Sequence, residues 1–318
     1  MKKMFSVLWK LALIILGVST LGLFAIAYVV FKSSYARSKD GKESELPDES
    51  WAKQYHERYI KGCVWNRDIA GEEWTVTSKD GLRLVAKYLP AKGKAVRNVI
   101  LAHGYKSAYF KDFSEIGQWY VDNGANVLLI SQRAALKSGG KFLTMGVRES
   151  EDIALWAARM DAHTLGELPM YLHGISMGCA SVLMAQGESL PANVKGIIAD
   201  CGFTSPWEIS VAVCRQWYPW LPAKLTARIV DLYSRHLARF GMKEKNTVDI
   251  LKRAKIPTLF IHGTLDDFVP PHMTVRNYQA CAAPKRILMV DGATHALSWF
   301  YDNERYKNAL TDFFAWTA

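Results

Sequence analysis

The chain has 318 residues, half of them hydrophobic, with 11 Trp, 14 Tyr and 13 Phe. That composition excludes wholesale disorder and leaves room for one large α/β domain with an insertion, or for two ordinary domains. The net charge of +10 comes without a dense Lys/Arg block or an RNA-binding signature, so no nucleic-acid partner is expected. From Leu11 to Phe31 only Ser19 and Thr20 break an apolar run of 21 residues. At ~1.5 Å per residue this is enough for a bilayer span. Lys2, Lys3 and Lys10 precede the run, and Lys32, Arg37, Lys39 and Lys42 follow it, so charge does not fix its orientation. Ala25-Ile26-Ala27 imitates a signal-peptidase site, but the run continues through Tyr28-Val29-Val30-Phe31, longer than a usual signal core. An uncleaved anchor over residues 1–32 is the expectation.

Residues 33–69 read as a linker carrying an amphipathic helix, with aromatic and charged residues at helical spacing from Trp51 to Trp65. A catalytic domain is expected from residue 70 to 318. Glu73–Ser78 and Leu82–Leu89 are β-like runs joined by Lys79-Asp80-Gly81, a hairpin signal. Short apolar strands then alternate with helical stretches. Asn98–Ala102, Val127–Ser131, Met170–His173, Val194–Asp200, Thr258–His262 and Arg286–Val290 supply the strands. Such alternation predicts an α/β fold with a mostly parallel sheet covered on both faces. The stretch from about 203 to 251 interrupts the rhythm. It is rich in Trp, Tyr, Leu and Arg and broken by Pro206, Pro219 and Pro222, which suggests a small helical cap over the crevice where open α/β sheets bind ligands.

Gly174-Ile175-Ser176-Met177-Gly178 follows an apolar strand and leads into Cys179–Ala185 as a helix. This is the strand–turn–helix setting of a nucleophile elbow. A serine hydroxyl needs a base to take its proton. Of eight histidines, His295 is preferred because its loop follows the last predicted strand and reaches the C-terminal edge of the sheet. His173, His103 and His262 sit at strand ends and read as structural. The imidazole in turn needs an acid. Asp266, just after a strand, gives the chain order Ser, Asp, His expected of this fold; Asp267 and Asp200 remain alternatives. Oxyanion donors are expected from the backbone N–H groups of Met177, next to the serine, and Tyr105, in the loop after the strand Asn98–Ala102. The five cysteines (63, 179, 201, 214 and 281) show no Cys-x-x-Cys and no Cys/His spacing suited to zinc.

On these segments the chain resembles an α/β-hydrolase of the membrane-anchored, Gram-positive bacterial type. The resemblance spans about residues 70–316 and rests on Leu101–Tyr105, Gly174–Gly178, the Asp266 segment with Val269-Pro270, and Ala293-Thr294-His295. It extends to Arg133, Gly139-Gly140, Thr144, Gly146, Glu149 and Asp152. It implies an eight-stranded sheet, no metal and no organic cofactor, and a catalytic domain outside the cell membrane on a single-pass anchor. One departure is Ser131-Gln132-Arg133, where such proteins often carry an acidic residue before the arginine.

The expected activity is hydrolysis of a small-molecule ester or lipid-like substrate through an acyl-enzyme. An acyltransferase or a peptidase would use the same triad. Peptidases of the prolyl-oligopeptidase type usually carry a separate propeller, for which these residues have no room. A membrane-tethered binding module without activity is the non-enzymatic alternative, because fold alone never establishes catalysis.

Overall fold

The computed structural model describes residues 2–38, 45–47 and 53–317. Trp51 and much of the expected linker lie outside the described residues. The chain opens with one long helix, α1 (Lys2–Tyr35), followed by α2 (His56–Asp68). A hairpin of β1 (Glu72–Thr77) and β2 (Arg83–Leu89) precedes β3 (Arg97–Ala102), and a short α3 (Tyr109–Asp112) leads into α4 (Ser114–Asp122). Then come β4 (Ala125–Ser131), α5 (Glu149–His163), β5 (Met170–Ile175), α6 (Met177–Ala185) and β6 (Val194–Asp200). Three helices, α7 (Pro206–Trp217), α8 (Ala223–Leu237) and α9 (Thr247–Leu251), intervene before β7 (Thr258–Gly263). The chain closes with α10 (His272–Ala280), β8 (Lys285–Val290), α11 (Ser298–Tyr301) and α12 (Asn303–Thr317).

The eight strands form one sheet in the order β1-β2-β4-β3-β5-β6-β7-β8. Strand β2 is antiparallel to β1 and β4, and every pairing from β4 through β8 is parallel. The expected mostly parallel eight-stranded sheet with an entrance hairpin is therefore present. Every residue of β4, β5 and β7 is buried. That is the signature of strands covered on both faces, and it explains why they read as continuous apolar runs rather than alternating ones. Along β3 and β4 the pleat sends Val99, Leu101, Val127 and Leu129 into one core with α4 and α12. Ile100, Ala102, Leu128 and Ile130 go to the opposite core with α5 and α6.

The interval between β6 and β7 is helical for local reasons. The hydroxyl of Ser205 accepts the Glu208 N–H at 3.1 Å with Pro206 at the first helical position, so α7 starts where capping chemistry allows. Pro222 sets the start of α8, and the Asn246 side chain caps α9 through the Val248 N–H at 2.8 Å.

The N-terminal helix does not stop at residue 32. It runs on to Tyr35, and its last turns pack on the body of the protein. Ala27, Phe31 and Tyr35, spaced by four, form one buried stripe in a core with Phe203, Ile209, Val230 and Phe240. Beyond Tyr35 the chain stays attached. Ala36 bridges Phe142 in antiparallel fashion, and the Arg37 guanidinium donates to the carbonyls of Ser138, at 2.8 Å, and Leu136. Helix α2 packs on α4 closely enough that a β-carbon on Gly62 would stand 2.6 Å from the carbonyl carbon of Ser114.

Candidate active site

Ser176 sits at the turn between β5 and α6, with φ +56° and ψ −115°. This is a backbone conformation that a residue with a side chain adopts only under constraint from its surroundings. The two flanking glycines show the constraint. A β-carbon on Gly178 would lie 1.9 Å from the Ala102 carbonyl oxygen, and one on Gly174 would lie 2.2 Å from the Gly178 oxygen. Neither position has room for a side chain, so the Gly-x-Ser-x-Gly spacing follows from strand and helix meeting at close range. The Ser176 N–H is held by the Asp200 carbonyl at 2.9 Å.

The loops after β7 and β8 bring two further side chains to this turn. His295 Nε2 is 3.0 Å from Ser176 Oγ, and His295 Nδ1 is 2.7 Å from Asp266 Oδ2. The imidazole is partly exposed while the carboxylate is completely buried. Asp266 is gripped on both oxygens. Oδ1 accepts the N–H groups of Phe268 and Val269 at 2.9 and 2.8 Å. Oδ2 is also 3.0 Å from His262 Nε2. Burial alone would raise the Asp266 pKa, but hydrogen bonds from His262 and His295 outweigh it and hold the carboxyl well below the usual range.

Met177 is the first residue of α6, where backbone N–H groups have no acceptor within the helix and the helix dipole favours negative charge. The other expected donor, Tyr105, lies on the loop after β3, which runs beside the serine. A β-carbon on Gly104 would be 3.2 Å from Ser176 Cβ. The loop is fixed from two directions. Asp112 accepts the Gly104 N–H and the Ser107 hydroxyl. The Tyr105 hydroxyl donates to the Ser34 carbonyl at 2.8 Å, and the Lys106 ammonium donates to the Ser33 carbonyl, both at the end of α1.

The remaining histidines and acids have other partners. His173 is fully buried between the hydroxyls of Tyr120, at 2.9 Å, and Tyr306, at 3.1 Å. Burial pushes its pKa down to about 3, so its ring stays neutral. His103 is 3.0 Å from the Gly104 carbonyl and accepts the Gln132 N–H at 3.1 Å, while the Gln132 amide donates to the His103 carbonyl. The glutamine at the unusual position thus ties the fourth strand's loop to the one carrying Tyr105. Arg133 forks onto Asp152 at 2.7 and 2.8 Å. Asp200 binds the Tyr306 hydroxyl at 2.9 Å, and burial raises its pKa to about 6. Asp267 is exposed, its carbonyl taken by Gln216 at 2.8 Å. Cys201 clusters with Asp266 and His295, which are already hydrogen-bonded to each other, and burial raises its thiol pKa well above the ordinary value. Sequence reasoning assigned His262 to loop shaping and missed its contact with Asp266; its place four residues ahead of the acid was the available signal.

Two cavities meet at Ser176. One, of about 290 Å³, runs beneath α7 and α8 and is mainly apolar, walled by Tyr105, Phe203, Val213, Trp217, Val230 and Phe268. Val30, Ser33, Ser34 and Tyr35 of α1 complete its wall. The other, of about 450 Å³, opens on the His295 side among Lys106, Lys111 and Asp112. A reacting carbonyl at Ser176 would have an apolar slot on one side and a polar mouth on the other.

Known proteins place this geometry in context. The chain is 26% identical over 215 residues to the uncharacterized protein YqkD of Bacillus subtilis, covering 68% of this chain and 70% of that one. It is 23% identical to the uncharacterized protein YfhR of Escherichia coli, over 77% and 80% of the two chains. Its fold matches the Pyrococcus furiosus esterase Pf2001 with a TM-score of 0.63 at 20% identity, over 79% of this chain and 94% of that one. It also matches an acylaminoacyl peptidase of Pyrococcus horikoshii with a TM-score of 0.56 at 16% identity, over 80% of this chain and 43% of that one. The model of the prolyl oligopeptidase family, Peptidase S9, matches residues 111–318, which hold the elbow, the His295–Asp266 pair and α7–α9. The chain is an α/β-hydrolase and belongs to the prolyl oligopeptidase family.

Proposed function

We propose that the chain is a serine hydrolase that cleaves carboxylic esters through an acyl-enzyme. The observation that carries this reading is the continuous hydrogen-bonded line from Ser176 Oγ to His295 Nε2 at 3.0 Å and from His295 Nδ1 to Asp266 Oδ2 at 2.7 Å. Ser176 Oγ attacks the ester carbonyl as His295 Nε2 takes its proton, and Asp266 fixes the tautomer and stabilises the imidazolium. The oxyanion gathers beneath the N–H groups of Met177 and Tyr105. Collapse expels the alcohol with the proton from His295, and water repeats the cycle to release the acid.

The apolar slot beneath the cap suits an acyl chain, and the polar mouth suits the leaving alcohol and the incoming water. Peptidase activity is the second reading, favoured by the family match over residues 111–318. Fluorophosphonate labelling, followed by turnover of p-nitrophenyl esters against peptide p-nitroanilides, tests both. Label on Ser176 with ester turnover far above anilide turnover is expected; an unlabelled, folded protein overturns the hydrolase reading. Helix α1 serves as an uncleaved membrane anchor in this proposal, with the catalytic domain from residue 70 onward outside the cell. Its support is a 19-residue apolar stretch, Gly17–Tyr35, of mean hydropathy 1.4.

A further inference from the structure

The uncharged run of α1 lies between Lys10 and Lys32. Its 21 residues reach ~31 Å as a helix, about the thickness of one hydrocarbon core. Yet the last part of that run is not available as a free stalk. Leu23 and Val30 are packed against the body, and Ala27 and Phe31 are fully buried in it. Tyr28 and Phe31 meet Tyr233 of α8 with ring centroids 5.4 and 6.0 Å apart, and the Tyr233 hydroxyl donates to the Phe24 carbonyl at 3.3 Å. Packing on the body begins at Leu23 among the described residues, so Leu11–Gly22, ~18 Å of helix, is what precedes it, well short of a bilayer core. If α1 spans the bilayer, the part of α8 lying beside residues 24–31 is held at the level of the lipid.

The outer surface of the cap has the composition for that place. Trp220 is exposed in the turn between α7 and α8, next to Tyr218 and to Trp217 at the end of α7, which are exposed in part and also line the cavity. Leu225 and Leu232 are exposed on α8 among the exposed cations Lys224, Arg228 and Arg235. Exposed aromatic and leucine side chains among cations are what an interfacial helix presents to the boundary between headgroups and acyl chains. The apolar cavity over Ser176 lies directly beneath, and its wall is shared by the cap (Val213, Trp217, Val230) and by α1 (Val30, Tyr35).

We propose that the cap of this protein is seated in the bilayer interface, and that the cavity beneath it takes the acyl chain of an amphiphilic ester supplied by the membrane. This rests on the hydrolase and anchor reading above and deepens it. The ester group would reach Ser176 with its chain in the apolar slot and its polar head toward the mouth lined by Lys106 and Lys111. Extraction from the lipid phase would need no diffusion through water.

The test uses the full chain reconstituted in phosphatidylcholine–phosphatidylglycerol vesicles. The substrates are 4-methylumbelliferyl palmitate within the vesicles and p-nitrophenyl butyrate in solution. The triple variant W220S/L225S/L232S touches none of the cavity walls. It is expected to lose tenfold or more of the palmitate turnover while keeping that of the butyrate. Equal loss on both substrates, or none on either, overturns the proposal. Trp220→Cys carrying an environment-sensitive fluorophore should be quenched by doxyl-labelled lipid and shielded from aqueous dithionite. The same label at Leu165→Cys, 81% exposed and at the far end of the sheet, should be open to dithionite. Equal access at both positions overturns the seating even if the triple variant does not fold. Absence of butyrate turnover and of fluorophosphonate label in the wild type would instead be a failure of the hydrolase reading.

Discussion

The two sides of Ser176 are built in opposite ways. On the His295 side, three loops from the C-terminal ends of β5, β7 and β8 converge through hydrogen bonds between buried polar groups. There Asp266 accepts from two backbone N–H groups and lies against two histidines. On the cap side the walls are apolar and come from segments far apart in the chain, α1, the loop after β3, and α7–α8. The polar side leaves few alternatives, because any broken contact strands a buried donor or acceptor. The apolar side is held by shape and tolerates repacking at modest cost. In the proposed function, chemistry belongs to the first kind of construction and choice of substrate to the second.

The largest effects should separate the sides most cleanly. Ser176→Ala and His295→Ala are each expected to reduce ester turnover by about 10⁴-fold or more, and the double variant by little beyond that, because the residues act as one unit. Steady-state kinetics with p-nitrophenyl butyrate measures this, and additive losses would break the assignment. Asp266→Asn should cost about 10³–10⁴-fold in kcat, whereas Asp267→Asn and Asp200→Asn should stay within a few-fold of wild type. On the other side, Tyr35→Ala should raise KM for long-chain esters several-fold while sparing kcat for short ones, read from an acyl-length series. It removes part of the apolar wall and the 3.0 Å hydrogen bond to Ser210.

The smallest effect concerns stability and pH, and its sign differs between two buried acids. Asp266 is held below its ordinary pKa, so its contribution is fully present above the unfolded value near pH 4 and is lost as pH falls toward the folded one. Asp200, raised to about 6 by burial, works in reverse: the folded state keeps its proton longer, and stability declines as pH rises from about 4 through 6. Asp200→Asn should therefore raise Tm at pH 8 and lose that advantage at pH 4. A thermal melt series from pH 4 to 8 that runs the other way would break this reading of Asp200.

The polar side was the more legible in sequence, and the reason is local. A strand, a tight turn and a helix lie within some 15 residues around Ser176, and Asp266 and His295 each follow a short apolar strand. The sheet was legible too, since buried parallel strands announce themselves as apolar runs. The role of α1 in the cavity wall was not legible. An apolar run long enough to span a bilayer reads the same whether one stripe of it faces lipid or protein, and Ala27, Phe31 and Tyr35 carry no mark of their partners Phe142, Tyr233 and Phe240. Nor did the sequence foretell that Tyr105 and Lys106 would fasten their loop to the carbonyls of Ser33 and Ser34, contacts across some 70 residues.

The left-handed backbone at Ser176 has a further consequence. A residue held at φ +56° with a side chain costs of order 1–3 kcal/mol, which the rest of the fold must supply. Glycine at this position relaxes the turn but also deletes the proposed nucleophile. Ser176→Gly should be inert toward esters yet melt at a higher temperature than the active protein, whereas Ser176→Ala keeps the strain and gains no such advantage. The protein therefore gives up some robustness at this turn, and the stiffness of the surrounding sheet is what lets it do so.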